Sequence, residues 1–259
     1  MPELPDVEVY RRQIDDAMVG KEVDDIVVNE SKIIKLSGKK LKAYAGQKAT
    51  ETRRIGKNCF VKMGHAGWLS LHFGMTGTVE YTKKDEATPD YSALAFHLKQ
   101  GGSLHITSRR KLGKVETCGS PEKYAEAKDL GSDAMEVSEE AFLKLLSNKQ
   151  GSIKGALMDQ SMIAGLGNVY VDEILFQCRI HPKAKVKDLS GKDYKKLFNI
   201  MHKVVDKAIE VDADPDKLPT SYLTGKRREG EKCPSCDGKI EKIKVGGRSG
   251  YYCPECQKR

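Results

Sequence analysis

The sequence predicts an α+β multidomain chain: an N-terminal β-sandwich or barrel, a helical region after it, and a small four-cysteine hairpin at the end. Three observations predict this. Between about residues 21 and 117, short runs rich in Val, Ile, Thr and aromatics alternate with turn residues. From about residue 120 the apolar spacing becomes helical. Four of the seven cysteines crowd into the last 27 residues as two Cys-x-x-Cys pairs.

Residues 6–18 form an amphipathic helix in which Val7, Tyr10, Ile14 and Met18 recur at three- and four-residue steps, with Gly20 ending it. The strand candidates lie at 21–30, 60–63, 68–73, 77–82, 93–99 and 103–107, and Gln100-Gly101-Gly102 reads as a hairpin turn between the last two. Several short strands in succession suggest a sandwich or a barrel. Ser138-Glu139-Glu140-Ala141 starts a helix with Phe142, Leu143, Leu145 and Leu146 as its apolar content. Two apolar helical stretches separated by a glycine-bearing turn follow at 153–182. Residues 190–211 give the clearest helix: Ser190 caps it, Asp193 sits three later, and Tyr194, Leu197, Met201, Val204, Val205, Ala208 and Ile209 form its stripe. Residues 212–232 are polar with two prolines and read as a linker or mobile loop.

Length and charge bound the function. A chain of 259 residues can bury a core without a disulfide scaffold. Its charge sum is 45 − 37 = +8, which favours an acidic partner, nucleic acid first. No run approaches the ~20 apolar residues of a membrane span. Glu3, Asp6, Glu8 and Asp15 near the start, with no apolar block behind a basic segment, argue against a secretory signal. The clustered cysteines suggest metal in a reducing compartment.

Cys233, Cys236, Cys253 and Cys256 can supply four thiolates to one tetrahedral Zn²⁺, and sixteen residues separate the two pairs. Two pairs at this spacing point to metal rather than a redox couple. Gly246-Gly247 makes a hairpin turn between them. Residues 216–259 hold eleven Lys/Arg against six Asp/Glu, so the hairpin can clamp a nucleic-acid backbone, with Lys242, Lys244 and Arg248 as its charged face. At the other end, a small second residue permits removal of Met1, which would leave Pro2 with a free secondary amine. An α-amino group has a pKa of about 7.7–8.0, so part of it is neutral and nucleophilic near pH 7. Glu3 beside it could move protons. By position alone, an ordinary chain start is the better reading of Pro2. Arg53-Arg54-Ile55-Gly56-Lys57-Asn58 and Arg109-Arg110-Lys111 are basic clusters, which by themselves read as solvated loop charge. Gly165-Leu166-Gly167-Asn168 before a helix offers amides to a phosphate, with a simple tight turn as the plainer reading.

Seven segments in order carry a resemblance. They are PELPDVE at 2–8, RRIGKN at 53–58, LHFGMTG at 71–77, RRKLG at 109–113, LMDQSMIAGLGNVYVDEILF at 157–176, HP at 181–182 and GRSGYYCPECQ at 247–257. Over its whole length the chain resembles the formamidopyrimidine-DNA glycosylase/endonuclease VIII family of base-excision repair, and Glu-Leu-Pro is similar to the formamidopyrimidine branch. The resemblance implies a bifunctional DNA glycosylase/abasic-site lyase that removes oxidised bases, formamidopyrimidine or 8-oxoguanine first, and nicks by β,δ-elimination. It implies three modules: a catalytic β-sandwich at 1–130, a helix–two-turn–helix domain at 131–230 and a zinc-finger hairpin at 231–259. It reverses the plain reading of Pro2, which becomes the nucleophile, with Glu3 as acid/base and Lys57 as a third catalytic residue that contacts the flanking phosphate and assists catalysis. Met75 and Arg110 match residues that fill the gap left by an extruded base, and Leu112 takes the wedge position. Asn168 and Arg248 match phosphate-gripping residues. The implied partner is double-stranded DNA with damaged bases or abasic sites, met by a monomer away from membranes, in the cytoplasm or nucleoid. The implied zinc is single and structural. The sequence departs from the branch at Leu112, usually Phe, at Ser108-Arg109, usually Asp-Pro, and at 212–230, which lacks a Gly/Thr-rich stretch. These departures bear on base preference, so endonuclease VIII-like action on oxidised pyrimidines is the alternative. A non-catalytic binder of damaged DNA is a second alternative, opposed by intact Pro2, Glu3 and Lys57. A zinc-ribbon protein of transcription or translation would leave the N-terminus unexplained.

Overall fold

Antiparallel pairing organises the first half of the chain. The computed structural model describes residues 1–258, and Arg259, the last residue of the expected hairpin module, lies outside the described residues. The chain divides into two compact units, one of Met1–Pro2 with Asp6–Lys128, the other of Glu3–Pro5 with Asp129 onward.

In the first unit, α1 (Leu4–Met18) leads into β1 (Val23–Val28), the short α2 (Gly38–Lys42), β2 (Ala49–Ile55), β3 (Asn58–Met63), β4 (Gly67–His72), β5 (Gly77–Thr82), β6 (Ser92–Leu98), β7 (Ser103–Ser108), β8 (Lys114–Cys118) and α3 (Pro121–Ala127). The strands form two four-stranded sheets, ordered β1-β6-β7-β5 and β2-β3-β4-β8. Their facing sides share one core: Leu94, Phe96, Leu104 and Ile106 from the first meet Val61, Leu69, Leu71 and Val115 from the second. Val7, Ile14 and Met18 of α1 belong to the same core. This is a β-sandwich, so the barrel alternative falls. The second sheet is also covered on its outer side, where Phe60 and Trp68 meet Tyr124 of α3. The β6–β7 hairpin turns at Gly101 and Gly102, whose φ values of 92° and 81° suit glycine. Strands β2 and β8 were not expected from the sequence, and both are sheet edges.

In the second unit, β9 (Ser132–Asp133) precedes α4 (Glu139–Ser147), α5 (Ile153–Leu157), β10 (Ile163–Ala164), α6 (Asn168–Cys178) and α7 (Gly191–Glu210), and the chain ends in the hairpin of β11 (Glu241–Val245) and β12 (Arg248–Tyr252). Ser138 caps α4 by accepting from the Ala141 N–H. Ser190 and Asp193 form the expected reciprocal cap on α7, and Leu197, Met201, Val204, Val205 and Ala208 are its buried stripe. α6 is buried nearly all round, from Tyr170 to Phe176, which explains why it reads as a continuous apolar run. α5 and α6 are joined through two tight turns at 158–167, giving the helix–two-turn–helix arrangement.

The segment expected as a linker or mobile loop, 212–232, is held in place. It carries only short 3₁₀ turns, yet Leu223 is fully buried and Tyr222 nearly so. Glu173 of α6 accepts from both the Thr224 N–H and hydroxyl, each at 2.8 Å. The sequence showed only polarity here. The anchors are on another element.

Candidate functional site

Glu3 is a charged residue with 3% exposure, and its surroundings explain that. One carboxylate oxygen accepts from the Val169 N–H at 2.9 Å and the other from the Tyr170 N–H at 3.2 Å. These are first-turn amides of α6, whose own N-cap, Gly167, has no side chain to offer. Glu3 therefore supplies the missing cap from a remote part of the sequence, and its negative charge sits at the positive end of the helix. The glycines make this approach possible. A Cβ at residue 167 would overlap the Glu3 carboxylate, and one at Gly165, where φ is +114°, would strike Leu4. The Leu4 N–H donates to the Gly165 carbonyl at 3.0 Å. Of the amides at this helix start, which the sequence offered to a phosphate, those of Val169 and Tyr170 are taken by Glu3. Pro2, half-buried, is covalently next to this fixed carboxylate, and Met1 ahead of it is 58% exposed.

A second constellation surrounds the start of α6. The Asn168 side-chain amide donates to the Ser249 carbonyl of β12 at 2.8 Å, which brings Asn168 beside Arg248. Arg248 is exposed, and its guanidinium lies 3.9 Å from the Met158 sulfur. The hairpin register pairs Lys244 with Ser249 and Val245 with Arg248. Paired residues share a face, so Arg248 projects from the side opposite Lys242 and Lys244. The single charged face expected from the sequence is two faces.

The hairpin is held by its cysteines. All four sulfur atoms lie within 4.8 Å of one another. The separations are 3.8 Å for Cys233–Cys256, 3.6 Å for Cys236–Cys253 and 3.4 Å for Cys236–Cys256. A tetrahedron with zinc–sulfur bonds of about 2.3 Å has edges of about 3.8 Å, so the set fits Zn²⁺ and is far too open for disulfides. The Ser235 and Gly238 N–H groups donate to Cys233 and Cys236 sulfur at 3.4 and 3.3 Å, which suits thiolates. A Cβ at Gly238 would press on two of the sulfurs at 3.3 Å.

Sequence reasoning missed the ion network that joins this hairpin to α6. Asp172 and Lys154 are both fully buried. Asp172 accepts from Lys154 Nζ at 2.5 Å, from Arg227 Nε and Nη2 at 3.0 and 2.8 Å, and from the Tyr251 N–H at 3.0 Å. Burial pushes the Lys154 ammonium below the usual lysine range, against the opposing pull of Asp172. A Cβ at Gly250 would collide with the Lys154 ammonium. One carboxylate therefore gathers α5, α6, the 212–232 segment and β12. The visible signal was two acids inside the apolar run VYVDEILF. Asp172→Ala would leave two cations without their partner and is expected to destabilise the protein by about 3–5 kcal/mol in urea unfolding. A loss below about 1 kcal/mol would show that the network does not hold the hairpin.

In the first unit, Gly56 and Lys57 form the two-residue tip between β2 and β3, with Gly56 at φ 58°. Arg54 folds back behind the tip, reaching the Gly56 carbonyl at 3.1 Å and Glu8 at 3.3 Å. Burial first, then the nearby charges of Lys114 and Lys57, hold His72 below the usual histidine range. The Lys57 tip and the end of β4 therefore lie together. Beyond β4, the Gly74 N–H donates to His72 Nδ1 at 3.2 Å. Gly74 (φ +65°) passes so close to the 112–113 backbone that a Cβ there would sit 2.5 Å from the Leu112 carbonyl. The Arg110 N–H donates to Thr76 Oγ1 at 3.0 Å. Two loops are thus locked back to back, and they bring Met75, Arg110 and Leu112 together. Met75 is 42% exposed and Leu112 47%, so neither is core. Phe73 fills the core instead, edge-on to Tyr10.

Comparison with known proteins gives a consistent family. The formamidopyrimidine-DNA glycosylase N-terminal domain matches residues 1–115, the H2TH domain of the same glycosylase matches 130–218, and the zinc finger found in FPG and IleRS matches 230–259. A formamidopyrimidine-DNA glycosylase of Pelotomaculum thermopropionicum is 32% identical, covering 100% of this chain and 99% of the relative. One of Arabidopsis thaliana is also 32% identical, covering 100% of this chain and 71% of the relative. Among solved structures, MutM in complex with DNA containing carbocyclic 8-oxo-G is similar with a TM-score of 0.88 and 28% identity, covering 100% of both chains. The Lactococcus lactis enzyme with DNA containing Fapy-dG has a TM-score of 0.87 and 27% identity, covering 99% of this chain and 100% of that one. The Lactococcus lactis enzyme with DNA containing an abasic site has a TM-score of 0.86 and 27% identity at the same coverage. No helix among the described residues is long and apolar enough to cross a membrane.

Proposed function

The chain belongs to the formamidopyrimidine-DNA glycosylase family, and from that premise we propose how its own residues remove a base and cleave the strand. It is a DNA glycosylase with abasic-site lyase activity that acts on damaged double-stranded DNA, and it carries one structural zinc on its C-terminal cysteines. In our reading the catalytic β-sandwich spans 1–130, the helix–two-turn–helix domain 131–230 and the zinc hairpin 231–259.

Pro2, freed of Met1, is the nucleophile. Its nitrogen bonds to C1′ as the C1′–base bond breaks, and the base leaves with the electron pair and a proton. Opening of the sugar, with O4′ taking a proton through Glu3, leaves an iminium between Pro2 and C1′. The iminium acidifies C2′: loss of that proton expels the 3′ phosphate, and a second elimination expels the 5′ phosphate. The single observation that carries this reading is the Glu3 carboxylate fixed by two α6 amides, which sets the position of the residue before it. The exposure of Met1 supports its removal by a processing enzyme. Lys57 contacts the phosphate flanking the lesion. Met75, Arg110 and Leu112 occupy the gap left by the flipped nucleotide, and their two interlocked loops support a joint role. Unstacking costs a few kcal/mol, which the inserted side chains offset in part. Asn168 and Arg248 grip phosphate from one patch. The free cysteines support work in a reducing, DNA-bearing compartment, cytoplasm or nucleoid.

The preferred lesion is an oxidised purine, formamidopyrimidine or 8-oxoguanine, with oxidised pyrimidines second because Leu112 and the 212–230 segment depart from the branch. Single-turnover cleavage of duplexes that each carry one defined lesion tests this. Faster release of oxidised pyrimidines would overturn the preference, and no release from any duplex would overturn catalysis. Arg248→Ala is expected to weaken lesion and plain duplexes alike, by about ten- to a hundredfold for one charge-assisted contact. Its log–log salt slope should fall by about one. A loss confined to one lesion would mean that Arg248 reads the base.

A further inference from the structure

We propose that the C-terminal end of α6 carries a docking site for an acidic peptide segment of a partner protein. A cavity of about 310 Å³ opens there, rimmed by Arg179, Lys183, Lys185 and Lys258. Among the described residues, no carboxylate lies within salt-bridge distance of any of these four cations. Some cations of the same unit, Lys149, Lys154 and Arg227 among them, are ion-paired; what sets these four apart is that they rim one cavity. Asp188 is the only acid among the described lining residues. Clustered like charges repel, and a ligand that brings carboxylates relieves the repulsion.

The cavity is built, and two distant segments build it. Arg179 ends α6 in the left-handed region at φ 58°, and the Ile180 N–H returns to the Leu175 carbonyl at 3.0 Å. His181 Nδ1 accepts from the Lys183 N–H at 3.1 Å, and its ring stands edge-on to Tyr252 with centroids 4.8 Å apart. Gln257, 1% exposed, donates to the Ile180 carbonyl at 2.9 Å and accepts from the Cys253 N–H at 2.9 Å. That pair of bonds carries Lys258 to the rim. The lining also includes buried Ile180 and half-buried Leu189.

An apolar lining under a cationic rim selects among polyanions. A duplex backbone is a regular row of phosphates, with no side chain that can reach in to the half-buried Leu189. A peptide offers both. The carbonyls at the end of α6 disfavour an anion pressed against the helix, whereas long lysine and arginine side chains reach carboxylates held further out. The DNA-gripping Asn168 is at the other end of this 11-residue helix, about 16 Å away. That exceeds the screening length of about 8 Å at physiological salt, so the two surfaces can be occupied together.

The test uses the full-length, zinc-loaded protein and a fluorescein-labelled Asp-Asp-Leu-Asp-Asp-Leu peptide, followed by anisotropy at physiological salt. The peptide is expected to bind, its Asn-substituted analogue is not, and binding should persist when the protein is saturated with an abasic-analogue duplex. Lys183→Glu with Lys185→Glu should weaken the peptide about tenfold or more while lesion cleavage stays within about twofold. Lys183→Gln with Lys185→Gln, which only neutralises the rim, should give a smaller loss in the same direction. Equal peptide binding by wild type and both variants, or displacement of the peptide by the duplex, would overturn the proposal. So would weakened duplex binding in the variants without any peptide binding, which would assign the patch to the DNA backbone.

Discussion

Protein that retains Met1 is expected to form no borohydride-trapped adduct with an abasic duplex and to lose base release by about 10³-fold or more. Met1 converts the Pro2 nitrogen into an amide, which has no lone pair to give to C1′. Removing the nucleophile of a covalent enzyme costs up to about 10⁶ in turnover, so a loss of this size is the ordinary consequence of blocking it. The block leaves the fold untouched, since Glu3 keeps its two α6 amides and Leu4 its bond to Gly165. Binding to an uncleavable abasic analogue should therefore stay within about twofold of the processed protein, which separates chemistry from folding. Undiminished trapping by protein shown by mass to carry Met1 would remove Pro2 from the mechanism and point to a lysine such as Lys57.

Removing zinc is the second large perturbation. The core of the hairpin consists of Cys233, Cys253 and Cys256 with Phe176, Leu223 and Ile240, and the half-buried Cys236 and Tyr251 pack against it. Without metal, the sulfurs that form its centre repel as thiolates or lose their bonds as thiols. Structural zinc supplies about 10–16 kcal/mol to isolated finger peptides at neutral pH. Cys253→Ser should therefore unfold β11 and β12 and make residues 231–258 the first site of proteolysis. The helical core around α6 and α7 draws no residue from the hairpin and should keep its circular dichroism. Arg248 and the Ser249 partner of Asn168 go with the hairpin. Loss of two polar contacts to phosphate corresponds to about a hundredfold in duplex affinity. Metal analysis should give one zinc per chain for the wild type. Unchanged DNA affinity in a zinc-free variant would end the clamp role.

Legibility in the sequence follows from where the determinants lie. The α7 cap, the Gly246-Gly247 turn and the cysteine spacing are local, so the sequence displays them, and the structure agrees. β2 and β8 escaped because ATETRRI and KVETC are edge strands, half solvated and without an apolar run. Their pairing with β3 and β4 decides them. The candidate site divides in the same way. Met75, Arg110 and Leu112 were legible as residues, but their juxtaposition depends on Gly74 passing under residue 112. The Lys154–Asp172 pair was hidden because two charges that satisfy each other across 18 residues leave no periodic trace.

The bonds from Val169 and Tyr170 to Glu3 span 166 and 167 residues of chain. During synthesis the N-terminal segment is made first, yet its seat does not exist until α6 has been translated. The sandwich core can form with Glu3 and Leu4 still unseated, because that core begins at Val7. Closing so long a loop is slow relative to local pairing. At about 5–20 residues per second, the wait for residue 170 is on the order of ten seconds or more. Through that interval the first peptide bond is open to an aminopeptidase, so unmasking of Pro2 can begin before Glu3 is seated, and the exposure of Met1 leaves the same bond accessible afterwards.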